Sequence, residues 1–155
     1  MKPRLRNAAK AIIIRDGHLL TTNNHGSSGD TFYLVPGGGQ EPGETLTETV
    51  RRECWEEIGG KINVGQLTFV REYIGANHEF AEYGSYAHGV DVVFACTLTT
   101  DPETLVATSP NTYQIGIEWQ PLATLHAYLL YPQAVKPLIP EMATMHCPDY
   151  LGNVN

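Results

Sequence analysis

Hydrophobic positions along this chain mostly form short runs or alternate with polar ones, a pattern that is typical of β-strands. Such segments predict strands at residues 8–15, 18–22, 31–35, 62–74, 87–98 and 115–120. The dipeptide Asp16-Gly17 lies between the first two and predicts a tight hairpin turn, since this pair tolerates positive φ angles. Polar stretches predict loops at residues 23–30, 75–86 and 99–112.

One segment has the period of a helix instead. Apolar residues recur every four positions from Leu46 to Ile58, and so form one stripe on a helix surface. Thr45 and Glu48 fit a capping box, in which each side chain bonds the other residue's backbone N–H. Gly59 follows, and glycine readily adopts the left-handed conformation that ends helices. We therefore expect a helix that begins at Thr45 and ends at Ile58.

The last third of the chain predicts further helical structure. Residues 121–125 are compatible with a single helical turn, and residues 133–145 with a terminal helix. Pro137 and Pro140 must bend or break that helix, because proline lacks a backbone N–H. From Cys147 onward we expect irregular structure. Strands on both sides of one long helix, with a second helix near the end, predict an α/β fold with a mixed sheet and helices on each face.

Composition indicates an ordinary globular protein. A length of 155 residues is sufficient for one domain with a full core, so we expect a single domain over residues 1–155. The net charge of −7 argues against a general affinity for nucleic acids or membranes. Residues 8–14 are apolar, but Lys10 interrupts them and they are too short for a signal peptide or membrane span.

The cysteines suggest a reducing compartment. Cys54, Cys96 and Cys147 make an odd number, and their spacing does not resemble a metal site. Cys54 and Cys96 lie in patterned apolar segments, where reduced core cysteines are expected. This favours a cytoplasmic protein.

Three carboxylates crowd one part of the expected helix. Glu53, Glu56 and Glu57 lie within five residues, and residues three or four apart share a helix face. Like charges at that spacing cost about 0.2–0.5 kcal/mol per pair. A Mg²⁺ ion would offset this cost, because it prefers oxygen ligands and commonly binds carboxylates together with substrate phosphates. A solvated acidic face is the alternative.

The residues before the helix strengthen the metal interpretation. Residues 34–44 read LVPGGGQEPGE, and the glycines at this junction allow tight turning and close approach of the backbone to a ligand. Arg52 lies four residues from both Glu48 and Glu56, and so could hold acidic side chains in place by ion pairs. A plain turn and an ordinary surface ion pair are the alternatives.

Together these positions resemble a known motif, the Nudix box, over residues 38–60. The match consists of Gly38, five residues, Glu44, seven residues and the run Arg52-Glu53-Cys54-Trp55-Glu56-Glu57-Ile58-Gly59-Gly60. Gly60 departs from the motif, which has an apolar residue there. The resemblance implies a Nudix α/β/α sandwich, with the box helix beside the active cleft. It also implies a MutT-like hydrolase that breaks one P–O–P bond of a nucleoside diphosphate linked to another group.

The resemblance assigns roles to the box. It implies Mg²⁺, for which Mn²⁺ can substitute, bound by Glu53, Glu56, Glu57 and the backbone carbonyl of Gly37. Glu53, Arg52 and Glu56 form the implied catalytic set, in which Arg52 orients Glu53 and Glu53 is one candidate for the general base. Gly38 and Glu44 have supporting roles. Other candidates for a helper acid are Glu72, Glu79, Glu82, Asp91 and, with less support, Glu118.

The attached group of the substrate is not indicated. We expect a small-molecule nucleotide (a nucleotide sugar, an ADP-ribose-like compound or a nucleoside triphosphate) and no nucleic acid or membrane partner. Arg71, Asn77 and His78 are candidates for binding it. The proline that marks some ADP-ribose-cleaving relatives after the box is absent. A non-catalytic nucleotide sensor and a prenyl diphosphate isomerase remain alternatives, and the resemblance leaves a homodimer open.

Overall fold

The structure is a computed structural model that describes residues 4–79, 81–143 and 150–155. Cys147 and the last two residues of the predicted terminal helix lie outside this part of the chain. Within it, every helix is too short or too polar to cross a bilayer.

Within the described residues, nine strands form one mixed sheet. They are β1 (Leu5–Arg15), β2 (His18–His25), β3 (Thr31–Leu34), β4 (Gly37–Gly39), β5 (Ile62–Ile74), β6 (His88–Leu98), β7 (Gln114–Pro121), β8 (Leu130–Tyr131) and β9 (Tyr150–Asn153). The order is β8-β3-β2-β1-β6-β5-β9, with β4 paired to β1 and β7 to β2. The β1–β6, β3–β8 and β5–β9 pairs are parallel and the others antiparallel. The predicted mixed sheet is therefore confirmed.

Strand β1 lies at the centre of the sheet and divides its side chains between two faces. Ala9, Ala11 and Ile13 are buried in one hydrophobic core. Lys10 and Ile12 point to the opposite face, because side chains alternate along a strand, and both line a cavity there. The same strand thus supplies core residues on one side and cavity residues on the other.

The box helix, α1 (Leu46–Ile58), begins and ends as predicted. The Thr45 hydroxyl accepts a hydrogen bond from the Glu48 backbone N–H at 3.2 Å, and the Glu48 carboxylate accepts one from the Thr45 N–H at 2.7 Å. Gly59 ends the helix in the left-handed conformation, with φ of 64°. Local sequence signals alone fix both ends of this helix.

The stripe on α1 packs against the first face of the sheet. Val50, Cys54 and Ile58 are fully buried against residues of β1, β5 and β6. Leu46, the first residue of the stripe, is partly buried against the same core. The helix therefore covers this face and leaves its flank free to meet β4.

Short 3-10 helices cover the other face of the sheet. Residues Leu122–Ala127 and Gln133–Ala143 form them, and they bury Leu125, Val135 and Ile139 against a second core. With α1 opposite, these layers confirm the predicted α/β/α sandwich. The predicted terminal helix is a 3-10 helix, because Pro137 and Pro140 interrupt α-helical hydrogen bonding.

Three other expectations are corrected. Strand β2 continues to His25 instead of ending at residue 22, because β3 and β7 pair with it on both sides. The loop predicted at residues 75–86 contains a 3-10 turn, Gly75–Asn77, and a short helix, α2 (Ala81–Gly84). The end of the chain is not irregular, since β9 pairs in parallel with β5.

Candidate active site

The cavity on the second face of the sheet has a volume of about 700 Å³. Its polar end is bordered by β4 and the box helix, with the carboxylates of Glu53 and Glu57 in its lining. Its apolar walls include Phe32, Phe69 and Tyr131. A cavity with a charged end and an aromatic wall suits a ligand that combines an ionic group with a planar ring.

The glycines of β4 allow the carboxylates and the strand to meet. Gly37 has φ of 137°, and a Cβ atom there would lie 2.2 Å from the Ala9 carbonyl oxygen of β1. At Gly38 a Cβ atom would lie 2.5 Å from the carboxyl carbon of Glu53. Any side chain at either position would force the backbone or the carboxylate to move. Gly37 is thus required by close packing on β1, and Gly38 by close packing on Glu53.

Arg52 connects the acidic side chains of the box. Its guanidinium donates to both carboxylate oxygens of Glu44, at 2.6 and 3.0 Å. It also donates to Glu53 at 2.9 Å, to Glu56 at 3.3 Å and to the Gly39 carbonyl at 2.9 Å. The hydrogen bond from Arg52 is the main reason why the pKa of Glu44 is lowered to about 2. These contacts place Arg52 where it can orient Glu53.

Glu57 is the most enclosed of the three box carboxylates. The residue is 8% exposed, and its carboxylate accepts hydrogen bonds from the Gly37 N–H at 2.9 Å and the Asn111 side chain at 3.3 Å. Burial raises the pKa of Glu57, whereas the nearby Lys10 ammonium and the Gly37 N–H lower it. A buried carboxylate beside a cavity needs a positive partner, and Lys10 is one.

Lys10 was noted in the sequence only as an interruption of an apolar stretch. Its ammonium donates a hydrogen bond of 2.7 Å to the Gly37 carbonyl, the same oxygen that the resemblance assigns to a metal. Arg6, Ala8 and Lys10 occupy alternate positions of β1, Arg4 lies just before the strand, and all four residues line the cavity. The spacing of Arg6 and Lys10 places them on one face of the strand, but the sequence does not show that this face borders a cavity.

The oxygen donors at this end of the cavity are of the type that a hard divalent cation prefers. Glu53 and Glu57 line the cavity and supply oxygen donors, whereas Glu56 is held by Arg52 and does not belong to the lining. Within the described residues, no three Asp, Glu, His or Cys side chains converge as a metal-binding group. Two carboxylates are nevertheless a common protein contribution for Mg²⁺, which retains waters and takes oxygens from substrate phosphates.

Of the three predicted substrate-binding residues, the structure places one in the cavity. Arg71 lines it and is paired with Asp91 at 2.8 Å. His78 stacks on Tyr73 with ring centroids 5.0 Å apart, and Asn77 is exposed. Neither Asn77 nor His78 belongs to the cavity lining.

The candidate helper acids are also dispersed. Asp91 lines the cavity with its carboxylate engaged by Arg71. Glu72 accepts a hydrogen bond from the Tyr150 hydroxyl, and Glu118 accepts one from Asn23 at 2.9 Å. Glu79 accepts one from the side chain of Asn155. Asp91 is thus the member of this group that shares a cavity with Glu53 and Glu57.

Comparisons with known proteins identify the family of this chain. The sequence model described as NUDIX domain matches residues 4–142. The NAD-capped RNA hydrolase NudC of Chromobacterium violaceum is 42% identical over 73 residues, 46% of this chain and 26% of that protein. The chain thus matches only about a quarter of the length of this relative.

Two solved structures share the fold. A NUDIX hydrolase from Nitrosomonas europaea superposes with a TM-score of 0.73 at 18% identity, over 94% of this chain and 93% of that one. An ADP-ribose pyrophosphatase from Streptococcus suis gives a TM-score of 0.65 at 16% identity, over 96% and 98%. Because the family match covers most of the chain, the chain belongs to the Nudix family. The predicted Nudix family is therefore confirmed.

Proposed function

We propose that the protein is a magnesium-dependent pyrophosphohydrolase that cleaves a P–O–P bond of a nucleoside diphosphate derivative. The observation that carries the proposal is the meeting of Glu53 and Glu57 at one end of a cavity, against a glycine strand that leaves no room for side chains. A non-catalytic nucleotide sensor would not need two carboxylates beside the site where an anionic ligand binds, since they would repel it unless a cation were present.

The chain's own residues have distinct tasks in this reaction. Glu53 and Glu57 would hold Mg²⁺, with Glu56 as a third ligand only after release from Arg52. The bound cation would neutralise charge on the diphosphate oxygens and orient the attacking water. Arg52 positions Glu53, and Glu53 is our choice for the group that accepts the proton of that water. Glu44 keeps Arg52 in place by binding it through both oxygens.

Substrate identity is narrowed by the cavity and by the relatives. The lining combines the acidic end with aromatic rings, which suits the base of a nucleotide. One relative acts on NAD-capped RNA and one structural neighbour is an ADP-ribose pyrophosphatase, so adenine-containing diphosphates belong among the substrates to test. We further propose a single domain over residues 1–155. The buried thiols of Cys54 and Cys96 support a cytoplasmic location.

The decisive experiment measures products by mass after incubation in ¹⁸O-labelled water. The panel contains NAD⁺, ADP-ribose, a UDP-sugar and ATP, each with Mg²⁺, with Mn²⁺ and with EDTA. We expect one or more members to give two phosphorylated products with one labelled phosphate, and EDTA to abolish the reaction. Absence of any metal-dependent product, together with saturable nucleotide binding, would instead indicate a sensor.

The Glu57→Gln variant tests the metal-binding role directly. We expect it to lower kcat/KM by at least about 100-fold, because a metal ligand is lost while the shape of the side chain is kept. Glu103→Gln removes the same charge from an exposed residue and should leave turnover unchanged. Wild-type turnover in Glu57→Gln would contradict the assignment. Circular dichroism of both variants verifies that the fold is intact.

A further inference from the structure

Two uncharged carboxamide side chains, those of Asn24 and Asn111, line a cavity whose other polar groups are ionisable. Charged groups suit phosphates and cations, whereas a neutral ring is distinguished by a few polar groups in defined positions. Asn24 is only 1% exposed. Burial of an amide is costly unless its polar atoms form hydrogen bonds. The Asn24 side chain therefore needs partners within the fold, or a ligand that supplies them.

The nitrogen of the Asn24 carboxamide is held by a single residue. Nδ2 donates to the carbonyl and to the hydroxyl oxygen of Thr22, both at 3.1 Å. The Thr22 hydroxyl in turn donates to the Leu34 carbonyl at 3.4 Å, so its oxygen is free to accept from Asn24. A carbonyl oxygen can only accept, and the atom of Asn24 that faces the Thr22 carbonyl must therefore be the nitrogen. The two ends of the amide cannot be exchanged.

The oxygen of the same carboxamide is left for a ligand. An amide nitrogen has two hydrogens, and the two bonds to Thr22 use both of them. Among the residues that the structure describes, these are the side-chain hydrogen bonds of Asn24. Because the residue lines the cavity, Oδ1 is an acceptor of fixed direction that a donor on a bound molecule can satisfy.

The carboxamide of Asn111 is engaged at both ends. Its nitrogen donates to the Glu57 carboxylate at 3.3 Å. Its oxygen accepts from the backbone N–H groups of Tyr113 and Gln114, each at 3.0 Å. Asn111 thus fixes its own loop and contacts Glu57. Of the two carboxamides in the lining, Asn24 is the one with an oxygen available to a ligand.

Aromatic side chains lie beside Asn24. The residue pairs in register with Phe32 of the antiparallel strand β3, and the Cβ atoms of directly paired residues are about 4.5–5.5 Å apart on one face. Phe32 lines the cavity and meets Tyr131 edge to face, with ring centroids 6.2 Å apart. A planar ring that packs against these side chains has its edge within reach of Asn24. The site thus combines apolar contact for the face of a ring with one acceptor for its edge.

We infer that Asn24 selects the base of the bound nucleotide by accepting a hydrogen bond from an exocyclic amino group. Adenine carries an amino group at C6 and cytosine at C4, whereas guanine, hypoxanthine and uracil carry a carbonyl oxygen at the same position. An oxo base would bring two acceptors together and leave the buried Asn24 oxygen unpaired, which is costly. This inference rests on the proposed function for the kind of ligand, a nucleotide, but it does not depend on hydrolysis.

Binding of analogues that cannot be hydrolysed tests the inference. The probes are the α,β-methylene diphosphates of adenosine, inosine, cytidine and uridine, which give one amino and oxo pair for each ring size. Isothermal titration calorimetry with Mg²⁺ measures the four affinities for the wild type, Asn24→Leu, Asn24→Ala and Asn23→Leu. The last is the matched control, because Asn23 is the preceding residue of β2, binds Glu118 and does not belong to the cavity lining.

The expected result is a preference within each pair that depends on Asn24. Wild type and Asn23→Leu bind the amino member at least about 10-fold more tightly, since a hydrogen bond is gained and an unpaired buried acceptor is avoided. Asn24→Leu, which keeps the approximate shape of the side chain, brings both ratios towards 1, and so does Asn24→Ala. Both members of a pair are measured on one preparation, so partial unfolding of a variant does not change their ratio.

Several results would overturn the inference. They are a wild type that binds none of the probes, that shows no preference or that favours the oxo members, and an Asn24→Leu variant that keeps the wild-type ratios. Hydrolysis is scored separately with the substrate panel. If nucleotides are hydrolysed and the ratios do not depend on Asn24, the inference fails alone. If the ratios depend on Asn24 but no nucleotide is hydrolysed, the proposed function fails and Asn24 still selects the base.

Discussion

Arg52 links the acidic residues of the site because one planar guanidinium offers five donors. It joins Glu44, which precedes the helix, to Glu53 and Glu56 on the helix itself. A lysine has the same charge but cannot span these partners, since its ammonium is a single point of contact. The orientation of Glu53 therefore depends on Glu44 through Arg52.

The ion pair between Arg52 and Glu44 makes the stability of the fold depend on pH. Arg52 lowers the pKa of Glu44 from 4.5 to about 2, so the ion pair stabilises the fold fully above pH 4.5. As the pH falls from 4.5 to 2, Glu44 becomes protonated and this contribution is lost. We expect Glu44→Gln to lower the Tm at pH 6 and the gap from the wild type to narrow towards pH 2. A gap of constant size across this range would contradict the assignment, and Glu103→Gln serves as the control.

The acidic half of the site could be predicted from the sequence, whereas the basic half could not. Fixed spacing made the carboxylates of the box recognisable, because three of them crowd a few residues of one helix. Lys10 and Arg6 belong to a strand whose importance depends on β4 folding back beside it. That pairing joins residues 27 or more positions apart, and a single sequence does not reveal it. The prediction of Asn77 and His78 as substrate-binding residues has the same weakness, since neither residue belongs to the cavity lining.

At the scale of elements, the carbonyl end of α1 organises a loop. The last carbonyl groups of a helix have no partner within the helix. Here the Thr108 and Ser109 N–H groups donate to the Glu56 carbonyl at 2.9 Å, and the Gln114 side chain donates to the Glu57 carbonyl at 2.6 Å. The loop predicted at residues 99–112 is thereby fixed, and Asn111 is brought to the Glu57 carboxylate.

Gly59 marks the point where the helix and this loop meet most closely. Gly59 has φ of 64°, and a Cβ atom there would lie 2.1 Å from the Val106 carbonyl oxygen. Gly17 has a similar φ of 72°, but a Cβ atom there would contact nothing within 4 Å. We expect Gly17→Ala to cost about 1–2 kcal/mol from backbone strain alone. Gly59→Ala adds crowding, and so should cost roughly 3 kcal/mol or more.

Urea denaturation measures both free energies of unfolding. If the two substitutions reduce the free energy of unfolding equally, the loop around Val106 moves to accommodate the new side chain, and crowding at Gly59 adds no cost. The comparison isolates packing, because the backbone conformation is shared by the two glycines.

Elements with local signals were predicted well, and elements that depend on distant partners were not. Thr45, Glu48 and Gly59 define α1 within the chain segment itself. Strand β9 shows no such pattern, since Tyr150–Asn153 forms a strand by pairing with β5, about 80 residues earlier. The backbone groups at the edge of β5 make the strand possible, and the sequence near Tyr150 does not predict this pairing.

At the scale of the whole molecule, β9 and the residues after it connect the end of the described chain to the wall of the cavity through strand pairing and hydrogen bonds. It extends the sheet beyond β5. Asn153 accepts a hydrogen bond from the Ile74 N–H at 3.0 Å and also contacts the His78 ring. Val154 follows β9 directly, and its carbonyl accepts a hydrogen bond of 2.8 Å from Arg71, which lines the cavity. The position of Arg71 is thus fixed by Asp91 on one side and by the chain end on the other.

Removal of residues 150–155 should therefore affect both stability and substrate binding. The deletion exposes the edge of β5 and leaves Arg71 with Asp91 and the Tyr73 ring as partners, at a cost of about 2–3 kcal/mol. For a chain of this size that corresponds to a fall in Tm of about 4–12 °C. We also expect KM to rise more than kcat falls, since Arg71 lines the cavity and its ion-pair partner is Asp91, not a carboxylate of the box. Tyr150→Phe is the matched control, because it removes the hydrogen bond to Glu72 and keeps the strand. If the deletion leaves Tm and KM at the values of that control, β9 contributes nothing to the cavity, and Asp91 and Tyr73 are sufficient to hold Arg71.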